Sequence, residues 1–147
     1  MASASAGPLP PLTTVIPADA EAVLEAYLRF WEVAQSVDGR PDSQWRAVLS
    51  TVAGQPLLDE LLDGLQAQHE RGIRQYGSVV PRPTVVYLEP QRATVVDCQD
   101  ASRSGEVDHD TGAVRKVGSA RTPVSAVLRK EGGAWLVTEA RYLDDPC

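Results

Sequence analysis

Only two histidines and two cysteines occur among the 147 residues, and no run of basic residues is longer than a pair such as Arg115–Lys116. Each scarcity removes a class of function. Neither cysteine has a histidine partner in sequence and there is no Gly-x-Ser-x-Gly elbow, so nucleophilic catalysis lacks its parts. No glycine-rich phosphate loop or dinucleotide fingerprint occurs either. The net charge of −6 and the isoelectric point near 4.8 repel phosphate backbones, which argues against a nucleic-acid partner. No stretch approaches the roughly 18–20 consecutive apolar residues that span a bilayer. The N-terminal run also lacks the positive and apolar regions of a signal peptide. Two readings of it stay open, a protein made without export and a start codon standing in for a removed leader.

What is present suits one domain, because 43% hydrophobic residues at this length suffice for a core without metals. Residues 1–17 carry Pro8, Pro10, Pro11 and Pro17, which favour an extended arm over a helix. Leu9, Leu12, Val15 and Ile16 give that arm apolar side chains with which to dock on a partner. The plainer alternative is a disordered tail. A first helix follows Pro17 with Asp19 as N-cap, and Val23, Leu24, Tyr27, Leu28, Trp31 and Ala34, widened by Phe30, share one face. A second helix is expected over 43–52, with Trp45, Val48, Leu49 and Val52 inward, and Gly54 ends it. A third, with Pro56 in its first turn, buries Leu57, Leu58, Leu61, Leu62 and Leu65 and stops near Gly72. Beyond Ile73 the hydrophobic period changes from 3.6 to 2. Strands are expected at 84–88, 92–98, 122–130 and 134–143, the last two forming a hairpin around Gly132-Gly133, with a further short strand within 73–80. Residues 99–121, polar and holding Gly105, Gly112 and Gly118, read as a long loop or weak hairpin. Helices first and strands afterwards make the fold class α+β, three helices packed on a curved antiparallel sheet.

The stretch "ATVVDCQD" (Ala93–Asp100), followed by "TPVSAVLRKEGGAWLVTEARYLDDPC" (Thr122–Cys147), resembles the nuclear-transport-factor-2-like cone superfamily. That superfamily includes SnoaL-type and ketosteroid-isomerase-type enzymes, and the resemblance runs from about Asp19 to Cys147. It is similar in particular to a two-cysteine subgroup from high-GC Gram-positive bacteria and their phages. The resemblance implies a pocket at the wide end of a cone and a convex sheet face that commonly pairs with protein. Fold alone does not assign a role.

A ketosteroid-isomerase-like site needs a carboxylate base in an apolar pocket and a donor opposite it. Asp97 is the candidate base, with Tyr27 or Tyr87 as donor. Alternation places Val95 and Asp97 on one sheet face and Val96 and Cys98 on the other. Since both faces hold valine, the simpler reading leaves Asp97 at the surface. His69 borders the stripe of helix three and reads as a packed or surface residue. His109, between Asp108 and Asp110, has metal-ligand chemistry, but consecutive loop side chains rarely converge on one ion, so no metal, cofactor or catalytic residue is assigned. Cys98 ends a strand and Cys147 ends the chain. A disulfide between them, supported by the resemblance, would pin the C-terminus to the sheet and imply residence outside a reducing compartment, whereas free thiols would suit the cytosol.

The leading expectation is a non-enzymatic structural or interaction protein that binds protein subunits through its arm and sheet face, such as a capsid or tail accessory component of a phage virion. An exported accessory or lipoprotein-like protein and a small-molecule-binding, isomerase-like enzyme are the alternatives.

Overall fold

The computed structural model describes residues 17–147. The arm residues Leu9, Leu12, Val15 and Ile16 lie outside the described residues.

Helix α1 (Pro17–Ser36) already includes Pro17, and Asp19 sits inside its first turn rather than capping it. Its buried line is Val23, Tyr27 and Phe30, spaced four and three residues apart as one helical stripe requires. Leu28, expected on that face, is 41% exposed, because the stripe is centred one step away from it. A 3-10 turn (Asp42–Gln44) leads into α2 (Trp45–Leu49), half the expected length. The reason is tertiary. Residues 50–52 stay in tight turns bonded back to Arg46, Val48 and Leu49, and the chain then meets a sheet edge, where the Gly54 N–H donates to the Val137 carbonyl (2.9 Å) and the Val137 N–H donates to the Val52 carbonyl (3.0 Å). Those bonds cover an otherwise open strand edge. Helix α3 (Leu57–Glu70) follows, with Pro56 just ahead of it.

Seven antiparallel strands complete the chain: β1 (Ile73–Gly77), β2 (Pro83–Leu88), β3 (Arg92–Gln99), β4 (Ser104–Asp108), β5 (Val114–Val117), β6 (Thr122–Glu131) and β7 (Ala134–Tyr142). They form two sheets, ordered β1-β4-β5 and β2-β3-β6-β7. The sheets are continuous through a crease, with β1 running on towards β2, β3 towards β4 and β5 towards β6. At the crease Val80 and Asp100 exchange both backbone hydrogen bonds (2.8 and 2.9 Å), and the Ala101 N–H donates to the Ser119 carbonyl (2.8 Å). The segment expected as a loop or weak hairpin, 99–121, is therefore the end of β3, the β4–β5 hairpin and the crease.

Glycine makes the crease possible. A Cβ on Gly77 would strike the Arg103 carbonyl, and one on Gly105 would strike the Lys116 carbonyl. Gly77 also holds φ of +70°, a conformation that side chains disfavour. Gly77→Ala is expected to lose more than about 1 kcal/mol, whereas Gly39→Ala, with nothing within 4 Å of its Cβ position, should be nearly neutral. Urea unfolding midpoints of the two variants compare them directly, and equal midpoints would contradict this account of the crease.

The core lies between the inner face of β2-β3-β6-β7 and the helices. Ala93, Val95, Ala126, Leu128 and Val137 supply the sheet side, while Val23, Tyr27, Phe30, Leu49, Leu57 and Leu58 supply the helical side. The chain closes with a disulfide from Cys98 to Cys147 (Cα–Cα 5.8 Å). Ahead of Cys147 the Leu143 N–H donates to the Pro123 carbonyl (3.0 Å), adding a rung to the pairing of β6 with β7.

Candidate functional site

Strand β3 turns Ala93, Val95, Asp97 and Gln99 inward, and α1 lays Tyr27 across them. The Tyr27 hydroxyl donates to Asp97 Oδ2 at 2.7 Å, and Gln99 Nε2 donates to the same oxygen at 2.9 Å. The backbone N–H of Arg82, entering β2, donates to Asp97 Oδ1 at 2.6 Å. Asp97 is 4% exposed and Tyr27 and Gln99 are fully buried, so the surface placement expected for Asp97 is wrong. The helix packed on this face, and not the alternation, decides the matter. Burial, then the hydrogen bond to Asp97, then the charge of Asp97 hold the Tyr27 phenol far above its ordinary range.

This arrangement joins α1, β3 and the crease, and it does not resemble a working acid–base pair. The candidate donor and the candidate base are bonded to each other, and neither lines the clefts described below. A general base must reach a substrate proton, and both oxygens of Asp97 already accept internal donors. Tyr87 is not part of the cluster. It is 46% exposed on the outer sheet face, where the Arg92 guanidinium lies 5.8 Å from its ring centroid.

A concavity opens elsewhere, between α1, α3 and the sheet. Its inner end, about 270 Å³, is apolar, with Phe30, Trp31, Leu61 and Leu65 facing Val124 and Tyr142. Trp31, Gln35, Gln68, Gln75 and Tyr142 also border a second space of about 680 Å³ over β1, β4 and β5, so the two adjoin. Glutamines organise the shared wall. Gln75 Nε2 donates to Gln68 Oε1 (3.2 Å), and the Gln75 N–H donates to Asp38 Oδ2 (2.6 Å). Gln35 Oε1 accepts the Val79 N–H (2.7 Å). None of these cleft glutamines was singled out in the sequence, and nothing local marks them. Gln99 could have been found, since it lies two residues beyond Asp97 on the same strand face.

The two histidines come to the borders of one further cleft, together with Arg40 and Arg74. His69 packs edge-on against Trp45 (6.1 Å between centroids). His109 Nδ1 lies 3.3 Å from Asp110 Oδ1. Asp108 serves the β4–β5 turn. Its Oδ1 accepts the Thr111 and Asp110 N–H groups, each at 3.0 Å, and these bonds lower its pKa. Among the described residues no three His, Cys, Asp or Glu side chains are placed to hold a metal ion, and no helix is long and apolar enough to cross a membrane.

The outer face of β2-β3-β6-β7 is the remaining candidate surface. Val86 and Tyr87 on β2 and Val96 on β3 are 54%, 46% and 37% exposed. Register places Thr94 between Tyr87 and Val127, and Arg92 opposite Arg129. One face of an antiparallel sheet is ordinarily solvated and polar, so contiguous valine and tyrosine there are informative.

No family model and no curated protein matches the chain. Solved structures do. The intermembrane-space region of the chloroplast protein ARC6 is 15% identical with a TM-score of 0.58, the match covering 86% of this chain and 98% of that one. The likeness is one of fold. A protein of unknown function with a cystatin-like fold from Nostoc punctiforme is 15% identical (TM-score 0.48; 87% and 92% covered). A de novo designed β-sheet protein is 13% identical (TM-score 0.40; 90% and 92% covered). The α+β arrangement of helices held against an antiparallel sheet is thus shared with the ARC6 region. At these identities no activity transfers.

Proposed function

We propose that this protein is a non-enzymatic interaction protein that binds other protein subunits through the outer face of its main sheet. The observation that carries this reading is the exposed cluster of Val86, Tyr87 and Val96 on a face that no helix among the described residues covers. The sealing of Asp97 by three internal donors supports it from the other side, by removing the best candidate for acid–base chemistry. The Cys98–Cys147 disulfide suits a setting outside a reducing compartment, such as a virion or an exported location. A virion or exported accessory role is the specific form proposed.

Photo-crosslinking in the cells that make the protein tests this. A photoreactive residue at Val96 should yield a covalent protein adduct, while one at the exposed Ala67 of α3 should not. Equal yields at both positions, or none at Val96, would refute the sheet-face assignment. The adduct's second component is identified by mass spectrometry.

The apolar inner cleft favours a second reading, a carrier of a small apolar molecule. Gly64 borders this cleft with nothing within 4 Å of its Cβ position, so Gly64→Leu should fill it without disturbing the fold. If the cleft binds ligand, an apolar fluorescent probe will bind the wild type and lose about tenfold or more in affinity in the variant, as one buried leucine's worth of apolar contact implies. Unchanged probe binding would remove the cleft from consideration.

A further inference from the structure

Exposed apolar residues gather at the outer end of the joined clefts. Val117 on β5, Tyr142 at the end of β7 and Leu143 beyond it are exposed, and all three border the space of about 680 Å³. Trp31 and Tyr76 line it as well, so three aromatic side chains surround one groove. On α1, Leu24, Leu28, Trp31 and Gln35 follow one another at intervals of four, three and four residues, which makes a single stripe along the helix. The stripe leads into the groove, since Trp31 and Gln35 form part of its wall. Leu28, one turn earlier, is exposed among the described residues.

Sixteen residues precede α1, which begins at Pro17. They include Pro8, Pro10 and Pro11, and among them the apolar Leu9, Leu12 and Val15 recur at every third position. A polyproline helix has three residues per turn, so this spacing sets the three side chains on one face. Grooves lined with aromatic rings are the usual receptors of such segments, whose ordering costs little entropy. We infer that the arm is the occupant of this groove, in its own chain. It turns back at Pro17, runs antiparallel to α1 as a polyproline helix and seats Leu9 among the aromatic rings. Length sets the register. Polyproline rises about 3.1 Å per residue and an α-helix about 1.5 Å, so each arm residue passes about two residues of α1. Leu12, five residues before Pro17, comes level with Leu28 at roughly 16 Å from the helix start, and Leu9 comes level with the turn from Trp31 to Gln35 at roughly 25 Å. The seated arm covers the exposed apolar side chains of both surfaces, which hydrophobic burial favours. The outer sheet face takes no part, so this inference goes beyond the sheet-face reading and does not depend on it.

The full chain with a photoreactive aromatic residue in place of Leu9 tests this, prepared as an equal mixture of unlabelled and heavy-isotope-labelled chains. Irradiation, digestion and mass spectrometry should place the adducts on the segments that carry Trp31, Tyr76 or Tyr142, each joined to an arm of the same isotope. Adding Leu12→Asp and Val15→Asp, which lie outside the buried core, should lower the yield at least about tenfold, because two apolar contacts are lost. An adduct joining chains of different isotope would overturn the inference. So would an adduct on the outer sheet face, no adduct at all, or a yield that the two aspartates leave unchanged.

Discussion

Asp97→Ala is expected to cost about 3–5 kcal/mol of folding free energy, because it strands two buried donors and a half-buried one at once. The Tyr27 hydroxyl, Gln99 Nε2 and the Arg82 N–H would all lose their acceptor. For a domain whose total stability is about 5–15 kcal/mol, that is a large fraction, read as a shift in the denaturant midpoint. Asp97→Asn should be milder. It keeps an acceptor for Arg82, and Gln99 Oε1, which is buried without a partner, can accept from the new amide. An alanine variant within about 0.5 kcal/mol of wild type would show that the cluster does not hold the fold.

Tyr27→Phe isolates one arm of the same cluster and adds a pH signature. In the folded chain the Tyr27 phenol is held well above its ordinary value, while in the unfolded chain it ionises near about 10. The contribution to stability is present in full below that pH and is lost as pH rises through the window above it, since the unfolded chain sheds its proton first. The variant should be less stable at neutral pH by roughly 1–2 kcal/mol. Above pH 10 its stability should fall less steeply, by up to about 1.4 kcal/mol per pH unit. Parallel alkaline profiles would contradict the burial of that hydroxyl.

Reduction of the Cys98–Cys147 bond, or Cys98→Ser alone, should lower stability by about 4 kcal/mol. The bond joins positions 49 residues apart, and closing so long a loop restricts the unfolded ensemble strongly. The tail also holds a hydrogen bond from Arg121 Nε to the Cys147 carbonyl, which would persist only while the tail stays in place. Chemical unfolding with and without reductant measures the effect. A difference below about 1 kcal/mol would mean that the reduced tail remains docked through its other contacts.

Elements with a clear local pattern were legible. Strands β6 and β7 were recognisable from alternation and their double-glycine turn, and α3 from its leucine spacing, because those signals act between residues close in sequence. The order of helices and strands carried the α+β class. Where the expectation failed, a distant partner had intervened. Helix α2 gives way to turns over 50–52 and is stopped where Ala53 bridges Val137 on the sheet edge. Of the two readings of 99–121, a long loop or a weak hairpin, the hairpin is the one that forms as β4–β5, and Gly105 and Gly118 mark where neighbouring backbones come too close for a Cβ. Leu28 seemed a core residue and is not.

Asp97 shows most plainly how the two levels divide. The sequence by itself determined that Val95 and Asp97 share one face of β3, because a strand alternates with a period of two whatever surrounds it. Valines on both faces left it undetermined which side was the interior. Only the tertiary structure decided that, by laying α1 over the face that carries Asp97 and bringing in a hydroxyl 70 residues away in sequence. The pattern of a strand is a property of its own backbone, whereas burial is a property of what packs against it.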